Sequence, residues 1–141
     1  MNTEEEFATL IFAQRCSKDA SANEIADAAC RTWRDINCAL SPVIGQHGVV
    51  ALIKRTLHLQ HLHYPALKAI HGSRILPGEF PALHALLIKE TSLNAVLINS
   101  ALLNTFYELL TNLIGVSLTH QLLHSVLAPP SNGDPVQDNL P

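Results

Sequence analysis

Charge is what this chain has least of. Asp, Glu, Lys and Arg make up 15% of its 141 residues, against roughly 25% in an average globular domain. Nine basic and 12 acidic side chains leave a formal net charge of −3. That sign and scarcity exclude a strongly basic nucleic-acid binder. Hydrophobic residues, at 48%, exclude a disordered or collagen-like chain. Long apolar runs are missing as well. The nearest approach, residues 92–128, carries one formal charge, Glu108, and is broken by Asn, Ser and Thr, so no membrane span is expected. The opening Met1-Asn2-Thr3-Glu4-Glu5-Glu6 is acidic, where a secretory signal needs a basic start, and a cytoplasmic location is expected. Three cysteines, Cys16, Cys30 and Cys38, read as reduced thiols because an odd count does not close into pairs. Cys30 and Cys38 are eight apart and share a helical face, either as small buried hydrophobes or as a redox pair.

Catalytic patterns are absent too. There is no Gly-x-Ser-x-Gly elbow, no Gly-rich phosphate loop and no His-Glu-x-x-His. Between Asn37 and Ala128 the only acids are Glu79, Glu90 and Glu108, which leaves little material for paired acid–base work. No enzyme and no cofactor are expected.

What is present is helical periodicity. Thr3-x-x-Glu6 and Ser21-x-x-Glu24 are capping boxes, in which hydroxyl and carboxylate satisfy the free amides of a helix start. The first predicts a helix over 3–17, with Phe7, Leu10, Ile11 and Gln14 on one face. The second predicts a helix over 21–40, spaced by Ile25, Trp33, Ile36 and Leu40. Ser41-Pro42 reads as a new N-cap with proline at the first helical position, and a short turn, Val43-Ile44-Gly45, leads from it to Gly48. Further helices are expected over 49–63, 79–89, to about 112, and 117–127. Whether 79–113 is one helix or two stays open: Glu90-Thr91-Ser92 can cap a new helix, but no Gly or Pro lies between Pro81 and Gly115. The fold class is all-α, a helical bundle of five to six helices. Residues 1–128 make a single helical domain, and 129–141, rich in Pro, Asn and Gly, a disordered tail.

The chain also matches itself at an offset of 70 residues. Ile44-Gly45 falls on Ile114-Gly115, Leu52 on Leu122 and Leu57 on Leu127, while Trp33, Ile36 and Leu40 fall on Leu103, Phe106 and Leu110. Two pseudo-symmetric helix–Ile-Gly–helix hairpins would give this pattern, as would chance alignment of apolar helices. The stretches Leu113-Ile114-Gly115-x-Ser117-Leu118-Thr119-x-x-Leu122-Leu123 and Pro42-Val43-Ile44-Gly45-x-x-Gly48-Val49 resemble a recurrent signature in small all-α bacterial proteins of unknown function. The resemblance covers about a third of the chain and implies an all-α bacterial protein; it implies no activity.

Several side chains stand out on their helical faces. Asn99 sits in an otherwise apolar arc with Phe106 and Leu110. It reads as a ligand contact, a register-setting pair across a dimer, or a core amide bonded to backbone. Conversely, Leu93, Leu97 and Ala101 intrude into the polar arc of the same helix. Thr56, Gln60 and His63 form a polar stripe that with Asn99 can line a pocket. Lys54, Arg55, His58 and His61 form a basic face, in a region from Asn37 to Gly78 without one acid. It suits an anion or acidic partner, or is a solvated face. His120 and His124, at i and i+4, are weak metal candidates without a carboxylate at ligand spacing. The expectation is a non-enzymatic interaction or regulatory accessory module. It would form a homodimer through the fifth and sixth helices and bind an unknown protein partner, with neither nucleic acid nor membrane involved. The alternative is a small-ligand sensor with a pocket inside the bundle.

Overall fold

The computed structural model describes residues 21–71, 80–123 and 126. The expected helix over 3–17, the tail and His124 lie outside them. All regular structure among the described residues is helical. Helix α1 runs Ala22–Gln60 and α2 is the short Lys68–His71, reached through a single 3-10 turn at Pro65–Leu67. Helix α3 is Pro81–Leu87, α4 is Ser92–Ile114 and α5 is Val116–Leu122.

The local signals explain where these helices begin. Ser21 Oγ accepts the Glu24 amide at 3.2 Å, and the Ser21 amide donates to Glu24 Oε1 at 2.8 Å. Both halves of the expected capping box are made. Thr91 does the same work for α4: its Oγ1 accepts the Asn94 amide at 3.1 Å. That cap divides 79–113 into two helices, although neither Gly nor Pro marks the division. Pro81 opens α3 at a position where its missing amide is not needed.

The N-cap expected at Ser41-Pro42 is not made, and the break falls on the last residue of the turn expected after it. Pro42 lies inside α1, and the non-helical residue is Gly45, at φ 81° and ψ 158°. A proline forfeits one amide hydrogen bond and crowds the preceding turn, but the helix survives one turn further. Gly45 then takes a backbone conformation that side chains with a Cβ avoid. Gly115 adopts nearly the same one, φ 93° and ψ 156°, and there α4 and α5 part at 120°. The Gly115 amide still donates to Thr111 O at 2.8 Å, and Thr119 Oγ1 donates back to Gly115 O at 2.7 Å. Carbonyls and amides at the bend thus keep partners.

The environments of residues 70 apart agree closely. Ser21 and Thr91 cap, and Gly45 and Gly115 bend. Ile36 and Phe106, Leu40 and Leu110, Val49 and Thr119, Ile53 and Leu123, and Thr56 and Val126 are buried, whereas Val43 and Leu113 are exposed. The core joins both stretches. Trp33 meets the Phe106 ring edge-to-face at 5.2 Å and the Phe80 ring at 6.3 Å. Around them pack Ile25, Ala29, Leu57, Leu67, Leu83, Leu87 and Leu102. By length and composition α1 contains a window, of mean hydropathy 1.5, apolar enough to cross a membrane; 33% of that window is buried in the fold. The sequence pointed instead to 92–128, where α4 and α5 pass only as a bent pair.

Candidate functional site

The polar side chains of the interior join helices to one another. Trp33 Nε1–H donates to Asn99 Oδ1 at 2.9 Å, tying α1 to α4. Asn99 is fully buried, so its partner lies inside the chain, where the sequence left open a pair across a dimer. Its Nδ2 takes no partner among the described residues. Gln60 Nε2 donates to Thr105 Oγ1 at 2.7 Å and ties the end of α1 to the middle of α4. Tyr107 Oη and His120 Nε2 share a hydrogen bond between α4 and α5. On the outside, His84 Nε2 and Asp27 Oδ1 lie 2.7 Å apart and join α3 to α1.

The four expected pocket residues do not share a partner among the described residues. Thr56 is buried, but its hydroxyl donates to Leu52 O at 2.8 Å, within its own helix. His63 is exposed in the turn beyond Gln60, because α1 ends before reaching it. Gln60 and Asn99 engage Thr105 and Trp33 respectively. The basic set is at the surface: Lys54, Arg55 and His58 are exposed and His61 is half-buried. The His58 and His61 rings lie 5.4 Å apart. His61 Nδ1 is 2.6 Å from His58 O. Among the described residues no three His, Cys, Asp or Glu are arranged to hold a metal. His120 meets Tyr107 instead.

Cys30 is buried and its thiol contacts Phe80 O at 3.7 Å. Burial pushes its pKa up, Arg34 pulls it down and Asp27 adds to the rise. A thiol held neutral is a poor nucleophile. Cys38 is exposed.

The surface feature that the interior does not use is apolar. Leu93 and Leu97, 67% and 46% exposed, stand one turn apart near the start of α4, and Leu113 and Val116, 61% and 55% exposed, flank Gly115. Glu108 is the only formally charged side chain on α4 and α5. The pairs Trp33–Asn99, Asp27–His84 and Gln60–Thr105 had escaped sequence reasoning, since each joins residues more than 40 apart. No family model, curated protein or solved structure matches this chain.

Proposed function

We propose that the chain is a non-enzymatic helical interaction module, built from two helix–Ile-Gly–helix hairpins, that associates with a second copy and with a partner protein through α4 and α5. The observation that carries this reading is the exposed Leu113–Val116 step at the bend, on helices with a single formal charge. Apolar side chains left in water favour contact with another surface. Little like-charge repulsion opposes it there. The reading places the protein in a reducing compartment, which suits a chain whose Cys30 and Cys38 are free thiols. Size-exclusion chromatography with light scattering across a concentration series tests it. A dimer is expected, shifting toward monomer in Leu113→Glu and Val116→Glu. A wild-type chain that stays monomeric at high micromolar concentration overturns the reading.

One observation favours the ligand-sensor reading: the Asn99 Nδ2 donor is buried without an acceptor. A small molecule with a carbonyl or similar acceptor would satisfy it. Native mass spectrometry would then show a reproducible added mass, lost in Asn99→Leu.

A further inference from the structure

We infer that the face of α4 bearing Leu93, Leu97 and Ser100 is the docking surface for this chain's own residues 7–14. The inference rests on the two-hairpin reading above and assigns one of the two apolar patches, leaving Leu113 and Val116 for the second copy. The matching face of α1, 70 residues earlier, carries Asn23, Asp27 and Cys30. There the occupant is visible. Helix α3 lies on it: His84 reaches Asp27 at 2.7 Å, Phe80 O meets the Cys30 thiol, and the Phe80 ring packs by Trp33. Helix α3 immediately precedes the cap of α4, yet it packs on α1. The segment that immediately precedes the cap of α1 has the same relation to α4.

Its sequence has the matching pattern. Glu79-Phe80, Leu83, His84 and Leu87 in and before α3 correspond in spacing to Glu6-Phe7, Leu10, Ile11 and Gln14, at an offset of 73 rather than 70, so the link to the cap of α1 is three residues longer and Gln14 stands where Leu87 is buried. The correspondence is complementary at the contact itself. In the observed pair a histidine meets an aspartate, His84 with Asp27. In the inferred pair Ile11 takes the place of His84 and Leu97 the place of Asp27, so an apolar side chain meets an apolar one. Asn104 lies one further turn along the same face, and its buried Oδ1 takes no hydrogen bond, so this end of the surface still lacks a donor.

Cross-linking in the full-length chain tests the assignment. In a chain with Cys16→Ser and Cys38→Ser, Ile11→Cys and Leu97→Cys are introduced together and treated with a short bismaleimide. Asp27→Cys with His84→Cys, the contact seen in the structure, is the control. A cross-link within one chain for both pairs is expected. A control that cross-links while the Ile11–Leu97 pair does not overturns the proposal. So does a cross-link formed only between chains, which would put the segment of a second copy on this face. Transplanting the polar pair gives a second readout. Leu97→Asp should lower Tm, and adding Ile11→His should recover several degrees of it; simple additivity of the two losses overturns the proposal. The dimer reading fails separately, since it stands or falls on Leu113 and Val116.

Discussion

The indole–amide pair sets the terms at the residue scale. Trp33 has one ring donor to satisfy, and Asn99 supplies the acceptor at the cost of a second, unpaired donor. A hydrogen bond formed inside the core contributes modestly, but a partner left alone costs about 1–3 kcal/mol. Asn99→Leu should therefore destabilise the fold by about that amount, because it strands the indole. Trp33→Phe should do likewise, adding the loss of packing on Phe80 and Phe106. The double variant should lose less than the sum of the two. Urea titrations followed by circular dichroism check this, and strict additivity would show that the bond contributes nothing. Asn99 was legible in the sequence as a polar residue in an apolar arc. Its partner was not, because no local periodicity connects positions 33 and 99. The same holds for His63: helical spacing placed it with Gln60, but the chain leaves the helix at Gln60.

Bends and caps decide matters at the element scale. Gly45 and Gly115 hold backbone conformations that cost other residues about 1–3 kcal/mol each. An added Cβ would meet nothing within 4 Å at either site, so the penalty is purely conformational. Gly45→Ala and Gly115→Ala should each lower stability by about 1–3 kcal/mol without loss of helix content. Thermal melts with far-ultraviolet spectra measure both; an alanine that stabilises would mean the bend straightens. This scale was the best read from sequence. The capping box at Ser21 depends on residues three apart and is visible locally. The end of α3 was legible only as one of two alternatives, since Glu90-Thr91-Ser92 can cap a new helix or continue the old one, and Thr91 caps. The helix start expected at Ser41-Pro42 is not made, whereas the break itself falls on Gly45, the last residue of the turn expected over Val43-Ile44-Gly45, because the glycine conformation and not the proline ends the helix.

The two stretches behave as one body at the scale of the whole molecule. Trp33 from the first reaches Asn99 and Phe106 of the second, and Gln60 reaches Thr105. Helix α3 crosses back onto α1. Burial of the shared core then depends on both, and unfolding should be a single cooperative event. Trp33, the only tryptophan, reports the core by fluorescence, while circular dichroism reports all helices. The two transitions should coincide in urea; separate midpoints would show halves that stand alone. The crossing contacts have a further consequence. Each stretch stands to the other as one subunit of a dimer stands to its mate, except that both belong to one chain and residues 61–80 lie between them. Their encounter is governed by an effective concentration set by that shared chain, not by how much protein a cell makes. Dilution can dissolve an assembly of whole chains, but it cannot dissolve this inner pairing.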